Sequence, residues 1–187
     1  MEPTVSTGLE IRRFGTEDLA DIRQTIIDLY EVAAGTDRDD DFTKKFPWFV
    51  DHWGHQPAFT CVIAYDGDRA MGFAYGAPAP EGREWWRAYL AQAPEKSLTF
   101  AYSELAVHPE RRKQGVAYTL SRALLDDRPE DLAVLLVDTE HPRVQALYES
   151  WGFRKVGERR PFPDSPLYAV MLADLPLSGS PGHIPPA

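Results

Sequence analysis

Ser103-Glu104-Leu105-Ala106-Val107 alternates in the manner of a strand, His108-Pro109 interrupts it, and Arg112-Lys113-Gln114-Gly115-Val116-Ala117 runs straight into an apolar helix. A strand that turns this sharply into a helix commits the chain to a layered arrangement of sheet and helices. Gly115 lets the turn adopt conformations that other residues resist and lets a ligand approach the backbone. The first N–H groups of a helix have no acceptor within it and carry partial positive charge, which suits them to a phosphate or pyrophosphate. Arg111-Arg112-Lys113 places basic charge at the same turn, although the chain as a whole carries a formal charge of −9.

A second segment, Val144-Gln145-Ala146-Leu147-Tyr148-Glu149-Ser150-Trp151-Gly152-Phe153, reads as a helix that ends at Gly152. Val144, Leu147, Tyr148 and Trp151 fall at i, i+3, i+4 and i+7 and share one face. The spacing Arg112-x-x-Gly115-x-Ala117 resembles the acyl-CoA pyrophosphate signature of the GNAT superfamily of N-acetyltransferases. Leu147-Tyr148-x-x-x-Gly152-Phe153 is similar to that superfamily's second motif. The resemblance covers residues 98–160 firmly, and 8–78 and 167–175 by element order only. It implies an α/β (α+β) fold with a mixed, mostly antiparallel central sheet flanked by helices. It further implies one domain over residues 8–176, with acetyl-CoA as cosubstrate. The activity implied is transfer of an acetyl group to a primary amine of a small molecule or peptide, by direct attack in a ternary complex. A protein Lys or N-terminal amine as acceptor, and a non-catalytic CoA-binding protein on the same fold, are the alternatives.

Composition narrows the partners. A chain of 187 residues with 43% hydrophobic content can bury a real core. Its acidic balance argues against nucleic acid, tRNA included, because tracking phosphates needs a basic face. It favours cationic or neutral partners. The one cysteine, Cys61, excludes an intrachain disulfide and fits a reducing, cytoplasmic setting. Cys61 reads either as a buried small hydrophobe or as a thiol nucleophile. No stretch reads as a signal peptide or membrane span. A homodimer is compatible with the sequence. His52 and His55 lack supporting Cys or Asp ligands, and the acidic run Asp37–Asp41 lacks the spacing of a calcium loop, so no metal site is expected.

Along the chain, strands are expected at 9–14, 59–65, 70–76, 98–107, 132–137, 153–158 and 168–175. Thr16 is the expected cap of a helix whose stripe is Leu19, Ile22, Ile26 and Leu29. A second helix is expected at 42–53, a short one at 84–92, and further helices after Gly115 and around Tyr148. The tail from residue 177 is rich in Pro and Gly and reads as disordered. Leaving aside the short segment at 84–92, the order is β-α-α-β-β-β-α-β-α-β-β.

Acyl transfer to an amine requires an ammonium near pKa 10.4 to lose a proton, at a cost of roughly 4 kcal/mol near neutral pH. It also requires the departing thiolate to be protonated. Glu104, opposite in facing to Leu105 by the period of two, reads as the base or as a surface carboxylate without a role. By resemblance, Tyr148 presents its phenol to the CoA sulfur as general acid; as plain packing it is one more aromatic on an apolar face. Leu105, Ala106 and Val107 are implied to hold pantetheine through their backbone, and Arg112, Lys113, Gln114, Gly115, Val116 and Ala117 to hold the pyrophosphate. Where the family often has Asn before its Tyr, this chain has His141, which reads either as an altered pantetheine contact or as a cap or surface residue. Tyr75, Trp85, Trp86 and Tyr102 lie in segments that line the acceptor cleft in this family. Trp85-Trp86 reads either as an aromatic lid or as packing.

Overall fold

The computed structural model describes residues 8–35 and 41–180. Seven strands and four α-helices follow the expected order: β1 (Glu10–Phe14), α1 (Leu19–Ala34), α2 (Asp41–Gly54), β2 (Thr60–Asp66), β3 (Arg69–Pro78), β4 (Thr99–Val107), α3 (Val116–Leu125), β5 (Leu132–Asp138), α4 (Pro142–Ser150), β6 (Arg154–Arg159) and β7 (Tyr168–Asp174). One seven-stranded sheet has the strand order β1-β2-β3-β4-β5-β7-β6. The β1–β2, β2–β3, β5–β7 and β6–β7 pairs are antiparallel, and β4–β5 is parallel. The β4–β5 ladder covers only Thr99↔Leu132 to Ala101↔Val134, so β4 beyond Ala101 has no β5 partner among the described residues.

Contacts gather into two compact units, Met1–Ala77 with Glu104–Leu124, and Pro78–Ser103 with Leu125–Ala187. In the first, Ile26, Phe46, Cys61, Ile63 and Phe73 form a core in which each is at most 1% exposed. Tyr30 stacks on Phe46 with ring centroids 3.7 Å apart. A bidentate Arg23–Asp51 pair, with contacts of 2.6 and 2.8 Å, ties α1 to α2. The Arg23 guanidinium holds the Asp51 carboxyl below its ordinary value. Helix α3 lies close on β3 and β4. A Cβ on Gly72 would stand 2.9 Å from Leu120 Cδ1 and 3.1 Å from the Ala106 carbonyl, closer than packed atoms allow.

In the second unit β5 and β7 carry the buried run Leu132–Leu135 and Ala169–Ala173. Strands buried on both faces read as continuous apolar runs, as these do. Arg128 and Glu130 pair at 2.7 Å with side chains only 8% and 7% exposed, and the Arg128 guanidinium lies 3.9 Å from the centroid of the Phe100 ring.

Three local expectations are corrected. Thr16 is not the cap: Gly15 holds that place before a short 3-10 turn, Thr16–Asp18, and its N–H donates to Asp18 Oδ2 at 2.8 Å. Asp18 reaches back to the preceding backbone, a task that a Thr at position 16 cannot perform. Residues 84–92 form turns rather than a helix, because Trp86 is drawn inward and the segment is tied by Arg87-to-Glu84 and Tyr89-to-Trp86 backbone bonds. The packed chain continues past residue 176: Leu177 is buried, and the Gly179 N–H donates to the Trp151 carbonyl at 3.2 Å. The rest of the expected tail, 181–187, and most of the acidic run, 36–40, lie outside the described residues.

Candidate active site

Within the first unit, the end of β4 passes into a 3-10 turn, Pro109–Arg111, and then into α3. His108 caps that turn: the Glu110 N–H donates to His108 Nδ1 at 3.2 Å. The His-Pro pair was the available sequence signal for it, since Pro suits a first helical position. Lys113 and Gly115 both take positive φ, 60° and 79°. Gly adopts this conformation freely, and at Lys113 the turn holds a backbone that L-residues rarely choose. The Thr119 N–H donates to the Gly115 carbonyl at 3.0 Å, the first i→i−4 bond of α3. The amides of Val116, Ala117 and Tyr118 therefore precede any intrahelical acceptor and form the positive end of the helix.

The side chains of this turn divide their work. Val116 is 2% exposed and Leu120 fully buried, so α3 is anchored by its apolar side while its leading amides stay at the turn. The exposed Arg112 is engaged by backbone: Nη2 donates to the Ala33 carbonyl at 2.6 Å and Nε to the Val107 carbonyl at 3.3 Å. It pins the turn to the C-terminal end of α1, whose carbonyls lack intrahelical donors. Arg111 pairs with Asp66, and the Gln114 amide donates to the Glu110 carbonyl at 2.9 Å. Of the three basic residues expected to face an anion, only the exposed Lys113 has neither a side-chain hydrogen bond nor an ion pair among the described residues.

Glu104 lies on the same strand. It is half-buried, and desolvation pushes its carboxyl from 4.5 up to about 8, opposed by the Leu105 N–H. A carboxyl in this range loses and regains a proton near neutral pH. Leu105 and Val107 are half-buried and Ala106 is 8% exposed. Tyr75, expected toward the acceptor, belongs to the core at 1% exposure and stacks on Phe73 with centroids 5.8 Å apart. Cys61 is fully buried and its thiol is pushed up by that burial, which removes it as a nucleophile.

Within the second unit, α4 opens with Pro142 at its first position and His141 at its cap. The exposed His141 makes no side-chain capping bond, so the cap reading of this residue is set aside. Tyr148 is 8% exposed and meets Trp151, Phe153 and Tyr102 edge-on, at 5.0, 5.7 and 6.3 Å between centroids. Three such contacts fix the direction of the phenol. The helix ends in a Schellman motif. The Phe153 N–H donates to the Tyr148 carbonyl at 3.1 Å and the Gly152 N–H to the Glu149 carbonyl at 3.1 Å, with Gly152 at φ 102°. The Gly-Phe of the second motif is thus a helix stop that also brings Phe153 against Tyr148. Trp86 is fully buried and its indole N–H donates to Thr99 Oγ1 at 2.9 Å, so Trp86 is packing and not part of a lid. Trp85 is half-buried, and Tyr102 is 2% exposed.

Residues 20–153 match the family model described as "Acetyltransferase (GNAT) family", and the chain belongs to that family. No curated protein matches the chain. Solved structures share its fold. An Escherichia coli ribosomal-protein alanine N-acetyltransferase is 18% identical, covering 94% of this chain and 99% of its own, at a TM-score of 0.59. YncA of Salmonella typhimurium, solved with its cofactor acetyl-CoA, is 17% identical, covering 96% and 98%, at 0.56. A spermidine N-acetyltransferase chimera built in part from Vibrio cholerae SpeG is 19% identical, covering 89% and 95%, at 0.56. Among the described residues no helix is long and apolar enough to cross a membrane, and no three His, Cys, Asp or Glu gather as metal ligands.

Proposed function

We propose that this chain is an acetyl-CoA-dependent N-acetyltransferase acting on a primary amine of a small molecule or peptide. The observation that carries the reading is the end of β4: a strand whose ladder with β5 stops at Ala101 among the described residues and which runs from Glu104 into a positive-φ turn whose helix offers its leading amides. Bound there, acetyl-CoA supplies an activated thioester. The amides of Val116 and Ala117, with Lys113, suit its pyrophosphate, and the backbone of Leu105–Val107 suits its pantetheine arm. Glu104 is assigned the base. A pKa near 8 matches it to taking a proton from an ammonium around neutral pH. Tyr148 is assigned the acid toward the thiolate; a phenol hydroxyl can hydrogen-bond to the anion and then release its proton. Solved neighbours named as a ribosomal-protein alanine N-acetyltransferase and a spermidine N-acetyltransferase support an amine acceptor of either size. A buried, unpaired Cys61 supports a reducing, cytoplasmic setting.

Gly115→Glu tests the site. The substitution puts a carboxylate beside the phosphates at a residue with φ 79°. Calorimetric affinity for acetyl-CoA is expected to collapse while the fold, followed by circular dichroism, persists. Unchanged affinity refutes the assignment. A panel of amines assayed by thiol release then identifies the acceptor.

A further inference from the structure

The segment between β3 and β4 folds back on β6 within the second unit. The Tyr89 hydroxyl donates to the Glu158 carbonyl at 2.8 Å. Gly157 accepts the ring at close quarters, since a Cβ there would stand 2.3 Å from Tyr89 Cδ1. Beside this contact lies an open groove of about 600 Å³, lined by Arg83, Arg87, Arg159, Arg160, Glu84 and Trp85 among others. Four guanidiniums and a single carboxylate line it, in a chain whose formal charge is −9. The charge of the whole favours cationic partners; the charge of this groove is the reverse.

The four guanidiniums are not equally engaged. Arg87 holds Glu84 bidentately at 2.6 and 2.9 Å and keeps that carboxyl below its ordinary value. Arg160 donates to the Ser165 carbonyl. The exposed Arg83 and the half-buried Arg159 have no side-chain hydrogen bond or ion pair among the described residues. A guanidinium is a planar fork of donors matched to a carboxylate or phosphate, and it cannot shed its charge. Glu84 and Glu81 act on Arg87, which leaves Arg83 and Arg159 as the like charges of the groove with neither a side-chain hydrogen bond nor an ion pair among the described residues, and like charges repel one another. The half-buried Trp85 adds an apolar surface for the carbon skeleton that carries an anion.

We infer that this groove is a binding site for an oxyanion ligand, a carboxylate or a phosphate, held by Arg83 and Arg159. The site stands independently of the transfer chemistry proposed above. Its test uses the full chain saturated with acetyl-CoA, so that the turn at Gly115 is filled. Inorganic phosphate and succinate are titrated separately, and the Trp85 indole signal is followed by nuclear magnetic resonance. A saturable shift with either probe is expected, and the better probe tells phosphate from carboxylate. In the double variant Arg83→Gln/Arg159→Gln the apparent Kd should rise roughly tenfold or more, the scale of losing charge-assisted hydrogen bonds. Acetyl-CoA affinity should be unchanged in that variant, which separates this site from the turn at Gly115. No saturable shift with either probe overturns the inference. So does an equal Kd in the variant, which marks non-specific salt effects.

Discussion

Replacing Glu104 by Gln removes a titrating group while keeping its shape, and the consequence can be worked through from its environment. Desolvation moves the carboxyl from 4.5 to about 8 on folding. Between those values the native state holds a proton that the unfolded chain has released. Stability therefore falls as pH rises through this window, is fully present below about 4.5, and is lost above about 8. Each pH unit corresponds to about 1.4 kcal/mol. Between pH 5.5 and 9 the ceiling is about 3.4 kcal/mol, from roughly 2.5 units of differential proton binding. Glu104 is only half-buried, and water relaxing around the carboxylate reduces the cost of its charge, so about half that, roughly 2 kcal/mol, is expected. For a chain of this size that is about 4–8 °C in Tm. The assay is urea or thermal unfolding of wild type and Glu104→Gln at pH 5.5 and 9. Wild type should lose roughly 2 kcal/mol relative to Gln across the interval. Parallel stability curves through the whole window would show that the carboxyl is hydrated, and the reasoning would fail. The kinetic counterpart is an acidic limb in kcat/KM with an apparent pKa near 8, absent in the variant.

Tyr148→Phe keeps the three edge-on ring contacts and should leave the Tm nearly unchanged, while kcat falls ~10²–10⁴-fold; full kcat with chemistry rate-limiting would leave the phenol a packing residue. Gly152→Ala forces a side chain into φ 102°, with its Cβ 2.9 Å from Ser178 Oγ. A loss of about 1–3 kcal/mol in urea unfolding is expected, and a neutral result would mean that the helix stop is not strained.

Much of this protein could be read from local pattern. The order of strands and helices, the turn at Gly115 and the helix stop at Gly152 rest on periodicity and on backbone chemistry that a few adjacent residues determine. The family follows from the same two segments, because both are short stretches whose spacing the chemistry dictates. What depended on distant residues could not be read this way. Arg112 looked like a phosphate ligand, and only the fold brings the Ala33 carbonyl within its reach. Trp85 and Trp86 are neighbours with equal hydrophobicity, and only the fold buries Trp86 fully and brings its indole N–H to the hydroxyl of Thr99. The elevation of Glu104 has no sequence signature, since desolvation is a property of whatever surrounds the carboxyl. The cluster of Arg83, Arg87, Arg159 and Arg160 joins two segments far apart in the chain. Local sequence determines which conformations the backbone can take; charge, burial and partnership are set by the residues that folding brings alongside.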